Sequence, residues 1–141
     1  MIVVPYQPHH LESLLLQPNQ AYMRSLMTNP EYQKSLDITG KAFTAIDGET
    51  VLACAGIVPF WEGRAEAWAI MSHDLKRHFL LIHRATERFL DACGFPRVEA
   101  NVDANFGCAQ RWMDMLGFVS EGLMHKYTPD GRDCTRFARI R

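Results

Sequence analysis

Residues 98–122 read VEANVDANFGCAQRWMDMLGFVSEG, and they carry the most specific fold signal in the sequence. A strand is predicted over 97–102, which overlaps the start of this stretch. From Asn105 to Leu116 the apolar residues fall at helical spacing. Gly117 follows at the position where a helix commonly ends on a residue in the left-handed conformation. The pattern therefore predicts a strand, an amphipathic helix and a sharp Leu-Gly-Phe corner in succession.

The sequence on either side of this stretch predicts a sheet with a few helices. Strands are predicted over 2–6, 42–46, 50–59, 64–72, 118–127 and 134–140. Helices are predicted over 9–16, 19–27 and 74–93, with Asn29-Pro30 ending the second and Gly94 the third. The resulting order, β α α β β β α β α β β, predicts an α/β fold with a mixed, mostly antiparallel central sheet and helices on both faces.

Composition limits what kind of protein this is. The chain has 141 residues, is 48% hydrophobic and carries a formal net charge of −1, so we expect one domain over 1–141 and no nucleic-acid partner. No apolar run approaches the roughly 20 residues that cross a bilayer, so no membrane role is expected. The four cysteines lack the spacing of a metal site, which predicts free thiols in the cytoplasm and no bound metal.

The element order and the corner motif resemble the GCN5-related N-acetyltransferase (GNAT) superfamily. The topology resembles that fold over nearly the whole chain, and the local motif covers 98–122. The positions that carry the motif likeness are Asn105, Ala109, Trp112, Leu116-Gly117-Phe118 and Glu121-Gly122. The resemblance implies transfer of an acetyl group from acetyl-coenzyme A to a primary amine by direct attack, with a small molecule or a protein as the acceptor.

The resemblance also implies where the cofactor would bind. The arm of acetyl-coenzyme A would bond to the main chain of the strand at Ile70, Met71 and Ser72, like an added strand. Family members usually hold the diphosphate in a glycine-rich loop, but residues 72–79 here read SHDLKRHF, without glycine. Lys76 and Arg77 could supply the charge instead.

Asn105 has two alternatives in this scheme. It could cap the second amphipathic helix, a position that asparagine favours. It could instead bond to the arm of the cofactor, as the resemblance implies for the family asparagine.

Acetyl transfer to an amine needs a general base and is helped by a general acid. The candidate bases are Glu66, on the strand predicted over 64–72, and His73, beside it. The family's acid is commonly a tyrosine of the late helix, but the position that matches by counting is Met113, which cannot donate a proton. Tyr127 is the nearest tyrosine downstream and is the candidate acid.

A narrower likeness to acetyltransferase-like proteins of tailed bacteriophages supplies the alternative function. The segments that carry it are Trp68 to Ser72, Lys76-Arg77 to Phe79, Asn101 to Asn105, the Gly117 corner and the Tyr127 to Gly131 hairpin. Such a protein would be a catalytically inactive scaffold that acts through protein contacts, located in the virion. In either case the last hairpin could pair two copies, so a homodimer is a further expectation.

Overall fold

The computed structural model describes residues 1–37 and 41–141. Seven strands form one mixed sheet, in the order β1-β2-β3-β4-β5-β7-β6. The strands are β1 (Ile2–Pro5), β2 (Ala42–Asp47), β3 (Thr50–Trp61), β4 (Arg64–Met71), β5 (Arg97–Asp103), β6 (Val119–Met124) and β7 (Cys134–Ile140). The predicted fold class is therefore confirmed, because β4 and β5 pair in parallel while β1–β2, β2–β3, β5–β7 and β6–β7 pair in antiparallel.

Four α-helices and three 3₁₀ helices complete the described part of the chain. The α-helices are α1 (Arg24–Met27), α2 (Pro30–Ser35), α3 (Phe79–Ala92) and α4 (Gly107–Met115). The 3₁₀ helices cover Pro8–Ser13, Pro18–Met23 and His73–His78. The helix predicted over 74–93 is thus divided, since its first residues form a 3₁₀ turn before α3 begins.

Helix α2 was not predicted from the sequence. The Asn29-Pro30 pair ends one helix, as expected, but it also begins the next. The Asn29 carboxamide oxygen accepts hydrogen bonds from the main-chain amides of Glu31 and Tyr32, at 2.9 and 3.4 Å. Proline disfavours the helical conformation for the residue before it, and the extended conformation that Asn29 adopts suits a helix cap.

The chain divides into two compact units, the first formed by Met1–Val58 and Ala67–Ile82. Its core lies between the early helices and strands β2 to β4. Tyr6, Leu11, Leu14, Met27, Val51, Cys54 and Ile70 are all buried there. Trp68 packs against this cluster and donates its indole N–H to the carbonyl of Leu36 at 3.2 Å.

The second unit is formed by Pro59–Glu66 and His83–Arg141. Its buried residues include Val98 of β5, Trp112 and Met113 of α4, and Phe137 of β7. The predicted corner closes α4 as expected, since Gly117 has a φ of +85°. The amides of Gly117 and Phe118 donate to the carbonyls of Asp114 and Met113, at 3.1 and 3.0 Å. Both bonds satisfy carbonyls that the last helical turn leaves open.

Candidate active site

Three side chains of the second unit meet around the amide of Asn101. Glu66 is the last of three β4 residues that pair in parallel with β5, opposite Glu99. Asn101 lies two residues beyond Glu99 and so projects from the same face of the strand. Its amide nitrogen donates to Glu66 Oε1 at 2.6 Å and to the phenol oxygen of Tyr127 at 3.1 Å. One amide thereby joins a carboxylate to a phenol.

Tyr127 reaches Asn101 from the connection between β6 and β7. Lys126 takes a left-handed conformation there, with a φ of +52°, and its amide donates to Asp133 Oδ1 at 2.9 Å. The amide of Tyr127 itself donates to the carbonyl of Arg132 at 2.9 Å. These bonds fix the main chain on both sides of the phenol.

The surroundings of Glu66 and Tyr127 keep protons on both groups more firmly than water would. Burial raises the pKa of the Glu66 carboxyl above its ordinary value, and the charge of Arg136 and the bond from Asn101 only partly oppose this. Burial also raises the pKa of the Tyr127 phenol, and the nearby Glu66 carboxylate adds to the rise. Such a pair can accept a proton at the carboxyl and hold one on the phenol.

Glu99 holds three arginines beside this site. Its side chain is only 1% exposed, and Arg64 donates to it twice, at 2.5 and 2.8 Å. Arg97 Nε lies 2.7 Å and Arg136 Nη1 lies 3.5 Å from the same carboxylate. The bonds from Arg64 come first among the causes that lower the pKa of Glu99 to about 2. Glu99 is therefore ionised at neutral pH, and it fixes strands β4, β5 and β7 where they adjoin Asn101.

Two of the strand residues predicted to bind the cofactor already have partners for their main-chain amides. Met71 donates its amide to Gln20 Oε1 at 3.1 Å, and Gln20 Nε2 donates to the carbonyl of Ala69 at 3.0 Å. Ser72 donates its amide to the carbonyl of Leu52 at 2.8 Å. The third predicted residue, Ile70, has a buried side chain in the core of the first unit.

The turn after β4 uses its first amides within the chain. The amide of His73 donates to the carbonyl of Leu15 at 3.0 Å, and the amide of Asp74 donates to Ser72 Oγ at 3.1 Å. The His73 ring, half exposed, lies 2.7 Å from Asp74 Oδ1. These amides are not arranged as an open nest for phosphate, which agrees with the lack of glycine in this segment.

Lys76 and Arg77 lie further along the same 3₁₀ helix, and both side chains are exposed. Arg77 Nη2 is 3.9 Å from the carboxylate of Asp47, which also lies 3.1 Å from His78 Nε2. An exposed guanidinium and ammonium can bind a diphosphate through side-chain charge alone. The exposed charges of Lys76 and Arg77 are therefore compatible with a diphosphate, whereas the β4 amides of Met71 and Ser72 are already bonded within the chain.

Asn105 does not cap α4. The helix begins at Gly107, and Phe106 occupies the capping position without a side-chain bond to the helix. The exposed Asn105 lies in the preceding turn, where its amide donates to Asp103 Oδ1 at 2.8 Å. The capping alternative was therefore wrong, because the chain needs two more residues to turn from β5 into the helix. The alternative role in cofactor binding stays a prediction.

Sequence reasoning missed Asn101 and Gln20. A signal for Asn101 exists, because Glu99, Asn101 and Asp103 alternate with apolar residues and so place three polar groups on one face of a strand. Gln20 has no such local signal, since its partners lie on a strand far along the chain.

Across 1–37 and 41–141, no helix combines the length and the apolar character that crossing a membrane requires. Within the same residues, His, Cys, Asp and Glu side chains form no group of three or more suited to a metal. All four cysteines are free thiols, and Cys54 and Cys134 are buried.

In comparison with solved structures, the fold of this chain is similar to that of N-acetyltransferases. Ard1 from Thermoplasma volcanium superposes with a TM-score of 0.78 at 16% identity, over 99% of this chain and 96% of that one. The ribosomal-protein-S18-alanine N-acetyltransferase from Escherichia coli gives 0.73 at 16% identity, over 99% and 92%. A spermidine N-acetyltransferase mutant from Vibrio cholerae gives 0.66 at 14%, over 99% and 95%. No family model and no curated protein matches the sequence.

Proposed function

We propose that this protein is an N-acetyltransferase that transfers an acetyl group from acetyl-coenzyme A to a primary amine, with Glu66 as the general base and Tyr127 as the general acid. The observation that carries the proposal is the hydrogen-bonded set of Glu66, Asn101 and Tyr127. It lies in a chain whose fold is that of N-acetyltransferases. Fold alone does not give function, so the proposal rests on these acid–base groups.

The cofactor would be held by groups already described. Bound acetyl-coenzyme A supplies an acetyl thioester to the reaction. Lys76 and Arg77 would bind the diphosphate through their charges. The β4 main chain at Ala69 and Met71 would offer one acceptor and one donor to an amide-bearing arm once the Gln20 side chain, which bonds to both groups, has moved away.

Glu66 would take the proton that the amine nitrogen loses as its new bond to the acetyl carbon forms. Asn101 bonds to Oε1, and we assign the proton to Oε2. The raised pKa of Glu66 suits this task, because a stronger base accepts the proton more readily.

Tyr127 would supply a proton to the sulfur as the carbon–sulfur bond breaks. Its phenol oxygen accepts the hydrogen bond from Asn101, so the phenolic proton is not used in that bond. Since the pKa of Tyr127 is raised, the phenol holds its proton throughout the neutral range until the thiolate needs it.

The acceptor belongs to the class of primary amines, either a small molecule or a protein. Structural neighbours carry the names of a spermidine N-acetyltransferase and a ribosomal-protein-S18-alanine N-acetyltransferase. Spermidine and a peptide with an N-terminal alanine are therefore the first acceptors to test.

The test combines cofactor binding with the release of free thiol. Acetyl-coenzyme A should bind in calorimetry, and thiol should appear when an acceptor amine is added. Glu66→Gln should lower kcat by about 10²-fold or more, with cofactor affinity retained. The exposed Glu62, in the turn between β3 and β4, gives the matched control Glu62→Gln, which should change neither.

Two outcomes contradict the proposal at different points. Full activity of Glu66→Gln would remove Glu66 as the base. No binding of acetyl-coenzyme A at millimolar concentration would remove the enzymatic function altogether, and would favour the non-catalytic scaffold that the bacteriophage likeness suggests.

A further inference from the structure

The side-chain amide of Gln20 binds the main chain of β4 at two points. Its Nε2 donates to the carbonyl of Ala69 at 3.0 Å, and its Oε1 accepts from the amide of Met71 at 3.1 Å. In a parallel sheet, a strand residue opposite Ile70 would make the same two bonds through its own main chain, accepting from the amide of Met71 and donating to the carbonyl of Ala69. Gln20 therefore takes the place of one strand residue along this edge of β4.

These two β4 groups are the ones that an amide-bearing arm would need. A chain that adds to a strand edge gains its affinity from main-chain hydrogen bonds. Met71 has a single amide hydrogen, so it can donate to the arm only after the Gln20 side chain has left, and that side chain also lies against the carbonyl of Ala69. A ligand that binds here must therefore compete with a group of the protein itself.

We propose that Gln20 is a built-in competitor that must leave β4 before the cofactor arm can bind, so that it regulates cofactor affinity. This inference rests on the acetyltransferase function proposed above. The contact lowers the apparent affinity, because only molecules in which Gln20 has swung away can bind.

The chain around Gln20 allows such a movement to stay local. Leu16 pairs with Ser72 in an isolated antiparallel bridge, and the carbonyl of Leu15 accepts the amide of His73. These main-chain bonds hold the start of the segment on β4. Gln20 itself lies in the 3₁₀ helix Pro18–Met23 and touches β4 through its side chain, so a change of rotamer releases both bonds.

The test measures coenzyme A affinity by calorimetry in two variants of Gln20. Gln20→Met keeps the length of the side chain without its amide, and Gln20→Ala removes both. Each should bind acetyl-coenzyme A about tenfold more tightly than the wild type, the equivalent of ~1.4 kcal/mol. Gln17→Ala is the matched control, because the Gln17 side chain donates to the carbonyl of Ser72 at 3.4 Å and bonds neither group that Gln20 occupies. The affinity of this variant for acetyl-coenzyme A should not change.

Hydrogen exchange of the Met71 amide supplies a second readout. This amide should exchange faster in both Gln20 variants than in the wild type, and added cofactor should restore its protection. Either variant suffices if the other fails to fold.

The outcomes separate this inference from the proposed function. If the wild type and both variants bind with equal affinity, the competitor role is wrong and the function stands. If variants that are folded bind more weakly, Gln20 helps to hold the ligand and the inference is overturned. If none of them binds, the acetyltransferase function fails and the inference fails with it.

Discussion

Replacing Glu99 with glutamine should destabilise the protein at neutral pH. The change keeps the shape of the side chain but leaves Arg64, Arg97 and Arg136 without their shared carboxylate. Taking one partner from a buried ion pair leaves uncompensated charge, which costs more than the pair itself contributes.

The size of the effect follows from the pKa of Glu99. A fall from 4.5 to about 2 corresponds to about 3 kcal/mol of stability at neutral pH, at ~1.36 kcal/mol per tenfold change in proton affinity. The arginine side chains are 25%, 31% and 32% exposed, so water weakens each interaction. We therefore expect Glu99→Gln to lose about 2 kcal/mol of the free energy of unfolding.

The pH dependence gives the sign of the effect. Because the folded-state pKa is lowered, the contribution of Glu99 is fully present above pH 4.5 and is lost as the pH falls towards about 2. Urea unfolding at several pH values, from about 7 down to about 3, should show the wild type and Glu99→Gln converging as the pH falls.

The control is Glu121→Gln, which removes the exposed carboxylate that also binds Arg97. It should have little effect, because exposed ion pairs contribute little. The reasoning would be refuted by a difference between wild type and Glu99→Gln that stays constant across the pH range, or by equal losses in the two variants.

Two further predictions concern catalysis and cofactor binding. Tyr127→Phe should lower kcat by about 10²-fold without changing the affinity for acetyl-coenzyme A. In the wild type the rate should fall only at a pH above the ordinary pKa of a phenol, because the pKa of Tyr127 is raised. A pH–rate profile that is the same in both proteins would exclude the phenol as the acid. The double change Lys76→Ala and Arg77→Ala should weaken the binding of acetyl-coenzyme A about tenfold and reduce the salt dependence of its Kd. Acetyl-pantetheine has no diphosphate, so its affinity should not change. An unchanged affinity for acetyl-coenzyme A would exclude these cations from the site.

The strand and helix pattern was predictable because it depends on local sequence. All seven predicted strands form, although the one predicted over 118–127 ends at Met124, and the Gly117 corner closes its helix as expected. The 3₁₀ start of the helix after β4 was not predictable. At its start, the amide of His73 donates a hydrogen bond to the carbonyl of Leu15, which is distant in sequence.

The candidate site was predictable only as separate residues. Glu66 and Tyr127 stood out as a carboxylate on a central strand and a tyrosine near the last turn, but nothing in the sequence placed them together. Asn101 brings them into one network, and its position depends on the parallel register of β4 with β5. The inter-strand register is a tertiary property, so it could not be read from either strand alone.

The phenol of Tyr127 sits on a connecting turn, whereas Glu66 and Asn101 sit on strands of the sheet. The Lys126–Asp133 bond sets how far that turn folds back. Lengthening or shortening the connection by one residue would move the Tyr127 phenol and leave the strands that carry the Glu66 carboxylate as they are. The two roles proposed for these residues are therefore open to independent variation, in natural sequences and in engineered ones.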